Sequence, residues 1–251
     1  MSFWGSIKSA FKKVVHAVVR AVKTIIHFGQ EVFGRILRIF DFIMTYLGIL
    51  LKKKLELRVL ILRGEHGDPV AKESDVAAIV EKAKQILLGS ARIEIVPTGG
   101  KAMIWTVNEL APHAALYLRG SGSDMVKDEF GDAGDFFEQM IQEYHSEATS
   151  PYNFFRTPIT CFVVQNIDGL DGISPGPLES WIAIDIGALD KVKVGSQATD
   201  SSVIAHELGH SGWLLHRTVP ENLMYAPAER GYNLTQWQLM VFRSARCVSI
   251  F

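Results

Sequence analysis

Cysteine is scarce: Cys161 and Cys247 are the only two in 251 residues. Two thiols so far apart make neither a disulfide framework nor a cysteine metal cluster. Cys161 lies in an apolar, strand-like run and reads as a buried thiol, while a single bridge between the two stays open. A long apolar run is lacking as well. Within residues 2 to 51 the longest uncharged stretch, Phe42 to Leu51, is ten residues, where a membrane-crossing helix needs about 20. A secretory leader is not recognisable, because Arg20 and Lys23 interrupt the apolar stretch and no small-residue cleavage site follows. The basic residues of the later chain do not cluster, which argues against nucleic-acid binding.

What is present is divided unevenly. The formal net charge of -1 hides a balance of +8 up to Lys54 and -9 after it, and such asymmetry points to two parts with different surroundings. Residues 2 to about 51 carry polar side chains three or four apart, from Lys8 through Lys12, His16, Arg20 and Lys23 to Arg38. Phe3, Ile7, Phe11, Val14 and Val18 fall on the intervening face. This is helical periodicity, with a break expected near Gly29 or Gly34. A basic polar face with Phe3 and Trp4 at its start suits a helix lying in an anionic membrane interface, or one engaging an export machinery. A helical hairpin packed on the protein itself fits the same pattern, and a prosegment covering an active site is a third reading. With neither leader nor span, localisation stays open between membrane association and a non-classical export route.

The expected boundary is Lys52-Lys53-Lys54, which separates a segment 1–54 from a body 55–251. Leu55 to Leu62 reads as a strand, Ser74 to Leu88 as a helix capped by Ser74, and Arg92 to Val96 as a second strand. Strand, helix, strand within fifty residues predicts a βαβ unit and an α/β fold whose sheet is partly parallel. Further on, Met103 to Val107, Pro158 to Val164 and Trp181 to Ile186 read as strands, and Asp132 to His145 as a helix. Asn233 to Arg246 is a closing helix with Leu234, Trp237, Met240 and Val241 as its expected core stripe. His66, His113 and His145 lack ligand-like neighbours.

The richest stretch runs from Ala205 to Arg217. In a helix, His206 and His210 lie one turn apart on one face and can aim two ring nitrogens at one zinc ion, with Glu207 swung aside to act as a general base on water. His216 shares that face only if the chain bends, and Gly212, free of Cβ, is the expected left-handed bend. Three nitrogen ligands leave a fourth position open, the catalytic rather than the structural pattern for zinc. The helix is expected to be capped by Thr199 or Asp200.

These residues resemble the metzincin clan of zinc metallopeptidases, whose signature is H-E-x-x-H-x-x-G-x-x-H followed by a methionine-containing turn. Glu221-Asn222-Leu223-Met224-Tyr225-Ala226 looks like that Met-turn and is closest to matrixin-like members. The family glycine falls at Trp213 here, one place after Gly212. The resemblance implies a metzincin-like α/β (α+β) catalytic domain with a twisted mixed sheet, an active-site helix and an apolar floor supplied by Met224 beside Tyr225. It also implies a protein or peptide substrate lying along an exposed sheet edge, near Ile173-Ser174 by order in the chain; the side chains that would bind it are not identified. Calcium is a further cofactor by analogy alone, with Asp168, Asp171 and Asp185 as the acidic residues concerned. No cysteine precedes residue 161, so the thiol-to-zinc latency of many matrixin propeptides has no counterpart. Two other functions stay open: a membrane-active or export protein driven by the N-terminal helices, and a metal-binding domain without activity.

Overall fold

A computed structural model describes residues 39–119, 131–145, 157–187, 202–227 and 229–250. The expectations for residues 1–38, with their amphipathic helices, lie outside the described residues, as do the proposed caps Thr199 and Asp200. By its contacts the chain divides into two compact units, Met1–Phe40 and Asp41–Phe251; the second carries the architecture described below.

The described elements are α1 (39–46), β1 (Lys53–Arg63), α2 (Glu73–Ala91), β2 (Ile93–Pro97), β3 (Ile104–Leu110), α3 (His113–Leu116), β4 (Tyr117–Leu118), α4 (Asp132–His145), β5 (Ile159–Val164), β6 (Asn166–Ile167), β7 (Gly172–Ile173), β8 (Trp181–Asp185), α5 (Val203–Ser211), α6 (Gln236–Arg243) and β9 (Val248–Ser249). The main sheet runs β2-β1-β5-β8-β7, with β3 and β9 also pairing with β1. Strands β2, β3 and β5 are parallel to β1 and β8 is parallel to β5, whereas β7 and β9 are antiparallel to their partners. The fold is therefore α/β with a mostly parallel sheet.

Strand β1 is central, so its alternation carries two cores rather than a wet face and a dry one. Leu55, Leu57, Val59 and Ile61 join the cluster under α2 and α5, and Leu60 and Leu62 join the cluster under α4. Glu56 and Arg58, the polar residues that alternate with these early in the strand, are about 5% exposed. Helix α2 starts one residue earlier than expected and its N-cap is Lys72, not Ser74. It crosses from β1 to β2 and buries Val76, Ile79, Val80, Ala83, Ile86 and Leu87, which is the βαβ unit the pattern predicts. On the opposite face, α4 sends Phe137 and Met140 inward, with Phe137 stacked on Phe162 at 4.2 Å between ring centroids.

Helix α6 is shorter than expected. Thr235 caps it through a reciprocal capping box with Gln238. Trp237, expected in its core stripe, is 63% exposed instead, and Leu239, Met240 and Phe242 take the buried face. Cys161 and Cys247 are both free and buried, which closes the question of a bridge between them. Burial in an apolar core pushes the Cys247 thiol up to about 12 and raises Cys161 further, with the Glu207 charge adding to burial at Cys161.

Candidate metal centre

Helix α5 is nine residues long and anchors on the sheet through Val203, Ile204, Ala205 and Leu208, all buried in the cluster under α2 and α5. Ser202 occupies its N-cap position without a side-chain cap bond. With that apolar face fixed, His206 and His210 project together one turn apart. Their Nε2 atoms are 3.2 Å apart, and each is close to His216 Nε2, at 3.2 Å and 3.0 Å. Among the described residues these three histidines are the one grouping of His, Cys, Asp or Glu whose donor atoms could hold a metal ion.

Which nitrogens face the centre is settled by the backbone. His206 Nδ1 lies 2.8 Å from the Leu223 carbonyl, and His210 Nδ1 lies 2.8 Å from the Leu214 carbonyl. A carbonyl can only accept, so both Nδ1 atoms carry the proton and both Nε2 atoms present lone pairs. Two lone pairs cannot hydrogen-bond each other, and His216 could donate to at most one of them. A cation satisfies all three. Tetrahedral zinc with Zn–N distances of 2.0–2.1 Å sets its ligand nitrogens about 3.3–3.4 Å apart, so edges of 3.0, 3.2 and 3.2 Å fit such an ion closely.

The electrostatics favour the neutral, ligating form. Burial, then the Arg230 charge and the neighbouring imidazoles, pushes His206 down to about 2 against the bond to Leu223. Burial lowers His210 to about 4, with smaller contributions from His216 and Arg230. His216, the most open of the three, is lowered by burial and then by Arg230. Protons therefore do not compete for these nitrogens near neutral pH.

The bend that returns His216 differs from the expected one. Gly212 is not left-handed; its φ is -98° and ψ is 24°. Trp213 takes the left-handed conformation, at φ 70°. The hydrogen bonds explain why the turn falls there: Leu214 N–H donates to the Gly209 carbonyl and Trp213 N–H to the His210 carbonyl, both at 3.0 Å. This pairing closes a helix with a Schellman turn and requires positive φ at the residue between. Gly212 is needed for another reason. A Cβ there would stand 2.2 Å from Phe242 Cδ2, so a buried ring on α6 occupies the space of a side chain. The Trp213 side chain is 58% exposed and interferes with nothing buried.

Beneath the helix, Met224 is fully buried with its sulfur 2.5 Å from where a Cβ on Gly209 would lie. Asn222 shapes that turn: its Oδ1 accepts from Met224 N–H at 2.9 Å, and its amide pairs with that of Gln238. Arg217 N–H donates to the Met224 carbonyl at 2.8 Å, tying the segment after His216 to the turn. Tyr225 is half-buried and donates its N–H to the Asn222 carbonyl. Sequence reasoning missed the packing of Gly209 on Met224, the hydrogen bonds by which Asn222 shapes the turn it names, and Arg230. The first two carry a faint signal, a small residue between the paired histidines and an Asn two places before the Met; Arg230 carries none.

Glu207 is 5% exposed, and its side chain runs against the sheet edge. A Cβ on Gly172 would meet Glu207 Cγ at 3.0 Å and Oε1 at 3.1 Å, so β7 approaches α5 as closely as it does because residue 172 is glycine. Strand β7 is the terminal strand of the sheet, as expected for the neighbourhood of Ile173. Asp185 is committed elsewhere, accepting from Ile167 and Gly187 N–H groups.

No family model matches the sequence, and no curated protein matches it. Among solved structures, the chain is similar to metalloproteinase-II from Bacteroides fragilis, at 14% identity and TM-score 0.48 over 78% of this chain; it spans about half, 54%, of that protein. It is also similar to a zinc-dependent peptidase from Methanocorpusculum labreanum (strain Z), at 16% identity and TM-score 0.45, over 73% of this chain and 99% of that one.

Proposed function

We propose that the chain is a zinc-dependent endopeptidase of metzincin type, matrixin-like in its Met-turn, with His206, His210 and His216 as metal ligands and Glu207 as general base. The observation that carries this reading is the convergence of three Nε2 atoms, two of them held as lone-pair donors by backbone carbonyls. Zinc bound there supplies Lewis acidity, lowering the pKa of a water toward 7 and polarising a carbonyl.

The chain's own residues supply the rest. Glu207, next to the first ligand and held against β7, takes the proton of the attacking water and returns it to the leaving amine nitrogen. The open edge of β7 offers main-chain donors and acceptors to an extended peptide, which then lies beside Glu207. Met224 keeps the floor of the site apolar and Tyr225 continues its wall. The division of labour we assign is a basic amphipathic segment within 1–54 and a catalytic body 55–251, with residues 41–54 packed as part of the body's compact unit.

The test is metal content together with hydrolysis of a peptide library. Glu207→Gln should retain stoichiometric zinc and lose about 10²–10⁴-fold in rate, whereas His206→Ala should lose metal and activity together. Hydrolysis by Glu207→Gln at the parent rate would overturn the reading.

A further inference from the structure

Segment 41–51 is folded inside out. Its two polar side chains, Asp41 and Thr45, lie one helical turn apart and are fully buried, while Ile43, Tyr46, Leu47, Ile49 and Leu51 are 51%, 68%, 63%, 46% and 40% exposed. A surface helix on a soluble protein has the opposite polarity. The inversion has a structural cause in Arg243, which is itself fully buried on α6. Its Nη2 donates to Asp41 Oδ1 at 3.0 Å and to the Leu51 carbonyl at 2.7 Å, its Nε to Thr45 Oγ1 at 3.1 Å, and its Nη1 to the Ala91 carbonyl at 2.7 Å. Lys53, 2% exposed, completes the cluster 3.2 Å from Asp41 Oδ2. Gln236 donates to the Thr45 carbonyl, and Phe42 meets Trp237 edge-on at 6.0 Å. The segment is thus clamped to the body by polar contacts, with its apolar side and Trp237 outward.

We propose that this face docks on the surface of an anionic lipid bilayer, with Tyr46, Leu47 and Trp237 entering the interface. Charge selects this occupant over a second copy of the chain. The sequence before the face, up to Arg38, carries seven Lys and Arg against Glu31 alone, whereas the exposed Lys52 that follows is already paired with Glu94 at 3.1 Å. Anionic headgroups attract the basic stretch that the chain joins to this face, whereas a second copy carries the same basic stretch. The aromatic residues have the amphipathic rings that favour the headgroup level. No described helix is long and apolar enough to cross a membrane, so the face lies on the bilayer rather than in it.

The experiment is co-flotation of the full chain with phosphatidylcholine vesicles containing about one third phosphatidylserine, alongside a Tyr46→Ser/Leu47→Ser variant that keeps every basic residue. The parent should bind, more weakly in high salt or without phosphatidylserine, and the variant should lose about tenfold or more in partitioning. The conservative pair Tyr46→Trp/Leu47→Phe should bind like the parent. Both altered sites are solvent-facing, so urea midpoints should match the parent's and show that folding is intact. Equal binding by the serine variant would mean that the basic stretch before residue 39 acts alone, and would overturn the proposal. So would a parent that ignores anionic vesicles, or a parent that dimerises through Tyr46 and Leu47 without lipid.

Discussion

Replacing Gly212 with alanine separates two physical roles for a glycine. The residue sits at φ -98° and ψ 24°, a conformation open to alanine. On backbone grounds alone, Gly212→Ala should stabilise the fold by about 0.4–1 kcal/mol, because alanine has less unfolded-state entropy to lose. Packing reverses the sign. The new methyl would stand 2.2, 2.7 and 3.3 Å from Phe242 Cδ2, Cε2 and Cγ, where carbon pairs prefer about 3.5–4.0 Å. Phe242 is fully buried, so the ring cannot swing into solvent and α5 and α6 must part. Overpacking of this kind costs about 1–3 kcal/mol, which leaves a net destabilisation of about 0–2.6 kcal/mol once the entropy gain is subtracted. Because Gly212 closes the helix that carries His206 and His210, zinc affinity should fall as well. Urea unfolding of the zinc-free protein measures the effect, and repeating it on a Phe242→Leu background completes a double-mutant cycle. The alanine should be nearly neutral on that background. If Gly212→Ala stabilises the parent, or costs the same on both backgrounds, the ring contact is not what keeps residue 212 a glycine.

Trp213→Gly should stabilise by up to about 1.5 kcal/mol, since relief of a left-handed non-glycine residue (about 1–2 kcal/mol) outweighs glycine's entropy (about 0.5–1 kcal/mol); an unfolding midpoint below the parent's would contradict it. Met224→Ala should cost about 2–5 kcal/mol and weaken zinc binding, whereas Met224→Leu should cost less than about 1.5 kcal/mol, both read by denaturation and metal titration. Asp41→Ala leaves the Arg243 and Lys53 cations buried without their carboxylate and should cost about 3–5 kcal/mol, so chains begun at residue 41 should unfold at higher urea than chains begun at residue 55. For the zinc-free protein, acid should destabilise from about pH 6.5 downward: His206 takes a proton there in the unfolded chain but is held down to about 2 when folded, so the unfolded state binds more protons. That histidine alone withdraws about 2 kcal/mol between pH 7 and pH 5, measurable as a falling thermal midpoint.

The parts of this molecule legible in the sequence are those fixed by local spacing. His206 and His210 share a helical face by arithmetic, the strands around β1 announce themselves by β-branched runs, and α2 by its 3.6-residue period. What was not legible depends on residues distant in the chain. The choice between Gly212 and Trp213 as the left-handed residue turns on Phe242, thirty positions later, and on which carbonyl each amide finds. Trp237 counted as core because it fits the stripe of α6, yet Asp41 and Thr45 claim Arg243 and turn that side of the helix into the seat of an inverted segment. The stretch Phe42 to Leu51 is too short to span a membrane, and nothing in its composition says that its apolar side faces out. The Arg230 charge lowers all three imidazoles from a position that no local spacing announces.

Two local rules are broken in this chain, a bulky residue at positive φ and a helical segment with its polar side inward, and natural sequences tend to break such rules where something other than stability is served. The two cases differ in what holds them. At Trp213 the left-handed turn is imposed by the hydrogen bonds that close α5 and put Leu214 in place, and the Leu214 carbonyl is the acceptor that orients His210. Strain there sits one residue from a contact on which the site depends, and glycine would make the same turn more cheaply, so the indole itself is not needed for the bend. At 41–51 the inversion is imposed by a buried guanidinium whose partners come from α1, from Leu51 and from the end of α2, so no single apolar residue can be turned inward without uncovering a charge. A fold built only for stability would have placed an aliphatic residue at position 243 and buried Ile43 and Leu47 against it, since a well-packed apolar replacement of a buried ion cluster is often neutral or stabilising. Keeping Arg243 instead commits the chain to an apolar exterior, a commitment that makes sense if that exterior meets something other than water.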